Sequence, residues 1–185
     1  HHSTPTLNFL YADSEGNIGY ALAGKIPRRA RVPTLLPLKS WDEQNEWRGY
    51  IPFDELPRVY NPPEGAIATA NNRIADSVYP FYLSHFFEPP HRFRRIHQLL
   101  GARKKFSVDE LAAIQLDTVS LHAKELIATL AADFTRLSDN DPTLQWAVDR
   151  LRGWDGQCNA SSVEATIFHV FHHRLLNNLL VPTLG

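Results

Sequence analysis

The chain lacks methionine altogether and has one cysteine, Cys158. A single cysteine excludes an intrachain disulfide and a multi-cysteine metal site. The absence of methionine leaves no initiator residue, and the paired His1 and His2 look like the remnant of an affinity tag. We therefore expect an internal piece of a longer protein.

The chain also lacks a large excess of positive or negative charge, and it lacks long apolar runs. The 19 basic and 20 acidic residues nearly cancel, which gives no overall field to attract nucleic acid or an acidic membrane surface. No apolar run is long enough to span a bilayer. We therefore expect neither nucleic acid nor a membrane as a partner.

The first half of the chain has the pattern of a hairpin followed by irregular structure. Leu7 to Ala12 and Asn17 to Ala23 are rich in β-formers, and the turn sequence Asp13-Ser14-Glu15-Gly16 separates them. Ten of the 13 prolines lie between Pro27 and Pro90, where they discourage helices. This proline-rich segment is predicted to be a long wrapping connection with one more short strand near Ala66 to Ala70.

The second half has helix signals. The first predicted helix is Arg92 to Leu100, and a long second helix begins at the capping box Ser107 to Glu110 and extends through Leu130. A third helix runs from Asp141-Pro142 to Gly153. The last helix begins at a capping box formed by Ser161 and Glu164, reaches about Leu180 and ends before Pro182. We expect an α+β fold divided into a lead-in at 1–6, the hairpin and proline-rich segment at 7–90, and a helical subdomain at 91–185.

The first half also carries a dense set of short motifs. They are Asn8-Phe9, Tyr11-Ala12-Asp13, Gly16 to Tyr20, Gly24, Pro27, Arg29, Glu46-Trp47, Gly49 to Pro52, Leu56-Pro57, Asn61-Pro62, Gly65 and Ala70-Asn71-Asn72. Weaker matches follow at Arg92 to Ile96, Gln115 to Asp117 and Trp154 to Gly156. In order and spacing this set resembles the β-chain of the penicillin amidase (penicillin acylase) family of N-terminal-nucleophile hydrolases.

The resemblance implies that this chain supplies half of an active site. In that family the nucleophile is a serine at the start of the β-chain, upstream of the matched region, and Ser3 lacks the family's context around that serine. The implied fold is part of an αββα enzyme, and the implied partners are the α-chain and the remainder of the β-chain. We expect this chain alone to be inactive.

The resemblance assigns the oxyanion-hole role to Asn8. Acyl transfer develops negative charge on the carbonyl oxygen, and a fixed amide N–H stabilises that charge. An asparagine suits this role because its donor is neutral and does not change with pH. Arg29 matches the family arginine that orients the site, with Arg28 as its neighbouring competitor, and Asn71 and Asn72 are predicted to form a structural network near the site.

The resemblance also implies the substrate and the setting. The expected substrate is a small N-acyl amide, such as a β-lactam side-chain amide or an acyl homoserine lactone, and the expected parent is periplasmic or secreted. The acyl group is not predicted. No cofactor is expected in this chain. Family members often bind a structural Ca²⁺ in the parent enzyme, but Asp13 is a single carboxylate and makes no site by itself.

Two alternatives of different class stay open. His169 and His173 lie one helical turn apart beside His172, as ligands in a metal-dependent hydrolase would. No glutamate lies between them, and histidines bonded to neighbouring groups on a packed helix explain the pattern more simply. The other alternative is a non-catalytic helical interaction module, with the last helix as its docking face.

The last helix is predicted to be apolar over most of its circumference, and such helices are normally covered on several sides. We therefore expect the isolated chain to self-associate. Sedimentation velocity over a range of concentrations tests this expectation. A well-folded monomer at high concentration would contradict it.

Overall fold

The computed structural model describes residues 5–30, 35–138 and 141–184. The chain forms two compact units, His1–Phe93 and Arg94–Gly185. Within the described residues every strand lies in the first unit, and every helix from Val108 onward lies in the second. The predicted α+β class is confirmed. The predicted lead-in at 1–6 lies largely outside the described residues, and the boundary at residue 90 stays a prediction.

The first unit contains two small antiparallel sheets. Its strands are β1 (Leu7–Ala12), β2 (Ile18–Ala23), β3 (Pro27–Arg29), β4 (Trp47–Tyr50) and β5 (Arg58–Tyr60). The predicted hairpin is present, with Leu7 opposite Ala23 and Ala12 opposite Ile18. β5 pairs with the other side of β2, so β1 is an edge strand, while β3 and β4 form a separate pair.

The strand predicted near Ala66 to Ala70 is wrong. The backbone there is irregular, and the strands of the proline-rich segment lie at β3, β4 and β5 instead. Side chains occupy the backbone groups that a strand partner would need. The Ala70 N–H donates to the side-chain oxygen of Asn72, and Arg92 donates to the Ala70 carbonyl.

A small apolar core supports the sheets. It consists of buried residues from β2 and from the segments that follow β2 and β4, namely Tyr20, Leu22, Ile26, Ile51 and Leu56. Ile51 is completely buried, and its N–H donates to the Ile26 carbonyl. The irregular segment packs on this core through Ile67, Ile74, Phe81 and Leu83.

Six helices follow in the described residues. They are α1 (His91–Gly101), α2 (Val108–Gln115), α3 (Leu121–Thr129), α4 (Ala131–Ser138), α5 (Pro142–Gly153) and α6 (Val163–Leu184). The capping box of Ser107 and Glu110 and the N-cap at Asp141 are present as predicted.

The single long helix predicted from Ser107 is wrong, because the chain breaks between α2 and α3. Asp117 in the break accepts two hydrogen bonds from Arg95, and the Thr118 carbonyl accepts one from the Cys158 N–H. Ser120 then caps α3 by accepting from the Ala123 N–H. These bonds satisfy backbone and side-chain groups without continuing the helix.

The ends of α6 also differ from the prediction. The N-terminal cap is Ser162, whose hydroxyl accepts from the Ala165 N–H, and not Ser161. Glu164 pairs with Arg150 instead of completing a box with Ser161. The helix continues through Pro182 to Leu184, although the proline removes one N–H donor from its last turn.

α6 is covered only along its first half. Phe168 is 1% exposed and lies in a core with Ala123, Ile127, Phe134, Val148 and Leu151. Towards its C-terminus the helix exposes Leu176, Leu179, Leu180, Val181 and Leu184. None of the described helices is both long enough and apolar enough to cross a membrane.

Phe168→Ala should lower the free energy of unfolding of the helical unit by about 3–5 kcal/mol, because it opens a cavity in a closed core. Val170→Ala on the same helix is the control. Val170 is 59% exposed, so its truncation should change the free energy by less than about 0.5 kcal/mol. Urea unfolding followed by circular dichroism measures both. Equal losses in the two variants would contradict this account of the core.

Candidate active site

Asn8 lies on the edge strand β1, on the same face of the sheet as the buried core. It stands opposite Leu22, and residues opposite each other in antiparallel strands share a face. The Tyr20 hydroxyl donates to the Asn8 carboxamide oxygen, Oδ1, over 2.8 Å. No group among the described residues accepts a hydrogen bond from Asn8 Nδ2. The amide donor is therefore available.

The base of the hairpin requires a glycine beside this strand. Gly24 follows β2 with a φ of +133°, in the region that favours glycine. A Cβ at Gly24 would lie 2.9 Å from the Cα of Thr6 and 2.9 Å from its hydroxyl oxygen. Any side chain there would push away the segment that leads into Asn8.

All four predicted site residues line one cleft. Its volume is about 420 Å³, and it is lined by Thr6, Asn8, Leu22, Lys25, Ile26, Pro27, Arg29, Asn71, Asn72, Ile74, Leu83, Ser84, Phe86 and Phe87. Residues from the hairpin, from β3 and from the irregular segment therefore meet, although up to 64 positions separate Asn8 from Asn72 in the sequence.

Arg29 and Arg28 lie in different surroundings. Arg29 lines the cleft, and its guanidinium lies over the rings of Trp47 (5.9 Å) and Tyr82 (5.6 Å). Arg28 does not line the cleft and lies over Phe81. No group within the described ranges accepts a hydrogen bond from the Arg29 guanidinium, so its side-chain donors are available to a carbonyl or carboxylate.

Asn71 and Asn72 also line the cleft and form a tight local network. Asn71 has a φ of +59°, which asparagine tolerates better than most residues. Arg92 donates to its side-chain oxygen, and the Glu88 N–H donates to its carbonyl. Asn72 caps the Ala70 N–H and donates to the Arg73 carbonyl. The structural role of Asn71 and Asn72 stays a prediction. Hydrogen bonds of this kind would fix the backbone of their segment, as that role requires.

The lining of the cleft combines polar and apolar residues. Asn8, Arg29, Asn71 and Asn72 are polar, and Ile74, Leu83, Phe86 and Phe87 are apolar. Specific ligand sites commonly combine apolar lining with a few polar groups that fix orientation. This arrangement fits a small molecule that carries both polar and apolar groups.

A hydrogen-bonded network, of which the sequence predicted only the turn at Asp13, holds the far end of the hairpin. Asp13 accepts from the Tyr11 hydroxyl, from the N–H groups of Glu15 and Asn17, and from Asn17 Nδ2. Asn61 then joins Asn17 and the Ile18 backbone to β5. The motif Asn61-Pro62 was the available signal in the sequence. Asn61 has a φ of +44°, a conformation that asparagine adopts more readily than most residues.

This network bears on a calcium site. Both carboxylate oxygens of Asp13 already accept hydrogen bonds. In the part of the chain that the structure describes, no three histidine, cysteine or acidic side chains come together as metal ligands. Asp13 therefore makes no calcium site by itself, and the expectation about cofactors stays a prediction.

The three histidines of α6 have separate partners. His169 Nε2 lies 3.9 Å from Cys158 Sγ, His172 Nε2 lies 3.3 Å from His122 Nε2, and His173 lies 3.0 Å from Asn177. The His172 ring also stacks on Phe168. These contacts match the simpler interpretation of the pattern, histidines bonded to neighbours on a packed helix.

Comparison with known proteins identifies the family. The model of the penicillin amidase family matches residues 1–185. The chain belongs to this family. It is 38% identical over 178 residues to the penicillin acylase 2 proenzyme of Pseudomonas sp. (strain SE83), covering 96% of this chain and 22% of the relative. It is 32% identical over 189 residues to the acyl-homoserine lactone acylase QuiP of Pseudomonas aeruginosa, covering 97% of this chain and 22% of that relative.

A solved structure supports the fold of this penicillin amidase family member. The thermostable penicillin G acylase of Alcaligenes faecalis matches with a TM-score of 0.73 at 24% identity, over 96% of this chain and 33% of that chain. The chain thus spans about a fifth of the two curated relatives and a third of the solved neighbour.

The Asp13 network predicts a loss of stability in acid. Hydrogen bonds from Tyr11 and Asn17 favour the carboxylate and lower the pKa of Asp13 from 3.8 to about 2. A depressed pKa contributes stability above the unfolded value, and this contribution disappears as the pH falls through the folded value. The stability difference between the wild type and Asp13→Asn should be constant near neutral pH and should shrink between pH 4 and pH 2.

Thermal unfolding across this pH range measures that difference. Glu15→Gln in the same turn is the matched control, because no group in the described residues donates to the Glu15 side chain. A difference between wild type and Asp13→Asn that does not change down to pH 2 would contradict the assigned network.

Proposed function

We propose that this chain is part of an N-terminal-nucleophile amide hydrolase that removes the acyl group from a small N-acyl amide. The observation that carries the proposal is the convergence of Asn8, Arg29, Asn71 and Asn72 on one cleft, with Asn8 Nδ2 available as a donor. The relatives named as penicillin acylases and acyl-homoserine lactone acylases support the reaction class.

In the proposed reaction Asn8 supplies one donor of the oxyanion hole. A serine from the segment that precedes the matched region attacks the substrate carbonyl, and its proton passes to its own α-amino group. An α-amino pKa of about 7.7–8.0 suits this base near neutral pH. The carbonyl oxygen becomes an oxyanion, and Asn8 Nδ2 stabilises it by donating a hydrogen bond.

The remaining steps release the two products. The tetrahedral carbon expels the amine, which takes the proton held by the α-amino group, and an acyl ester stays on the serine. Water then adds to this ester and gives a proton to the α-amino group, and the same oxyanion hole stabilises the second intermediate. When the bond between the acyl carbon and the serine oxygen breaks, the serine oxygen takes that proton and the acid leaves. Arg29 contributes positive charge at the cleft, and Asn71 and Asn72 form part of its lining.

The lining of the cleft supports the proposed substrate class. Its apolar residues Ile74, Leu83, Phe86 and Phe87 suit an apolar acyl or amine substituent beside the scissile amide. We propose β-lactam side-chain amides or acyl homoserine lactones as substrates, and a periplasmic or secreted parent. Any calcium bound by the parent would use residues outside those described.

A second candidate function has one observation in its favour. The apolar residues at the end of α6, from Leu176 to Leu184, are exposed, as in a non-catalytic helical module that docks on a partner. The cleft is not explained by this alternative, so we place it second.

Asn8→Ala in the full-length enzyme should lower kcat by about 100- to 1,000-fold with little change in KM, because the lost donor acts mainly in the transition state. Hydrolysis of an N-acyl β-lactam and of an acyl homoserine lactone should be measured in parallel. Asn177→Ala, an exposed asparagine on α6, is the matched control and should leave kcat unchanged. An Asn8→Ala enzyme with a kcat within threefold of wild type would contradict the proposed function.

A further inference from the structure

Among the described residues, Tyr20 is the one whose side chain hydrogen-bonds the Asn8 side chain. It lies in the middle of β2, only 6% exposed, in the core with Leu22, Ile26, Ile51 and Leu56. From there its hydroxyl donates to Asn8 Oδ1 over 2.8 Å. A buried aromatic ring has little freedom, so its hydroxyl defines a fixed point for the amide.

The strand register explains why these two side chains meet. Tyr20 stands opposite Leu10, and Asn8 stands opposite Leu22. Asn8 is therefore a diagonal neighbour of Tyr20 on the same face of the sheet, a separation that a long aromatic side chain spans.

The bond to Oδ1 determines which way the amide donor points. A carboxamide has one oxygen acceptor and one NH₂ donor group on opposite sides of the same carbon. A rotation that exchanges them would deprive the buried hydroxyl proton of its acceptor, and in the described ranges the hydroxyl makes no other hydrogen bond. Tyr20 therefore keeps Nδ2 turned away from the core.

The hydroxyl also stays protonated over the working range of an amide hydrolase. Burial raises the pKa of Tyr20 to about 12. The donor to Asn8 is therefore present at neutral and moderately alkaline pH, and the orientation of the amide does not change with pH in that range.

We infer that Tyr20 is a positioning residue that aligns the oxyanion-hole amide of Asn8, an inference that rests on the proposed function. Electrostatic stabilisation of a transition state depends on donors that are oriented before the charge develops. Without the hydroxyl of Tyr20, the Asn8 amide would populate rotamers that direct Nδ2 elsewhere.

The test is a double-mutant cycle in the full-length enzyme. Tyr20→Phe removes only the hydroxyl, and we expect kcat to fall roughly ten- to a hundredfold, as for other residues that orient an active-site group, with KM within about twofold. In an Asn8→Ala background the same substitution should change kcat by less than about twofold, because there is no amide left to align.

Tyr79→Phe provides the matched control. The Tyr79 hydroxyl donates to the Glu55 carbonyl in the same unit and not to a residue of the cleft. Its removal should leave kcat within about twofold in either background. Thermal unfolding of each variant shows whether the fold is retained.

The outcomes separate this inference from the proposed function. An Asn8→Ala enzyme with normal kcat would overturn both. A large loss with Asn8→Ala and none with Tyr20→Phe would overturn the role of Tyr20 alone, as would an equal loss from Tyr20→Phe in the presence and absence of Asn8.

If Tyr20→Phe does not fold, NMR relaxation of the Asn8 side-chain amide in the unmodified chain gives an independent answer. We expect an order parameter near that of rigid groups, about 0.85, and a value below about 0.6 would overturn the inference.

Discussion

The hydrogen bond between Tyr20 and Asn8 connects the fold of this chain to its proposed chemistry, and it depends on the register of one hairpin. With Asn8 opposite Leu22, the carboxamide lies on the core face, beside the buried phenol. A slip of one residue would place Asn8 on the other face and Phe9 against the core. The register is fixed at one end by the bonds of Asp13 and Asn17 in the turn, and at the other by the close approach that Gly24 allows.

The cleft depends on the irregular segment as much as on the sheet. Asn71, Asn72 and Phe87 belong to a stretch with no regular secondary structure, and side chains satisfy its backbone in place of a strand partner. Arg92 has a central part in this, since it binds both the Ala70 carbonyl and the Asn71 side chain. Such bonds keep the lining of the cleft in place without a helix or a strand. A preformed binding site requires a lining that is fixed in this way.

Local signals predicted most of the elements, and long-range contacts explain the break before α3. The hairpin, the capping box at Ser107 and the helix after Asp141 each depend on residues close in sequence, and all are present. The break before α3 depends on Arg95 and Cys158, which lie far from it in sequence. For the site, the resemblance supplied Asn8, Arg29, Asn71 and Asn72. It did not supply Tyr20, because a tyrosine in a strand looks like any core aromatic until the register is known.

The most direct test of the account is the structure of the full-length enzyme with a transition-state analogue bound covalently to its nucleophile. The analogue's oxygen that replaces the oxyanion should lie about 2.7–3.1 Å from Asn8 Nδ2. The Tyr20 hydroxyl should still lie at hydrogen-bonding distance from Asn8 Oδ1. An Asn8 amide that points its oxygen towards the analogue, or that lies too far away to donate, would contradict the central claim.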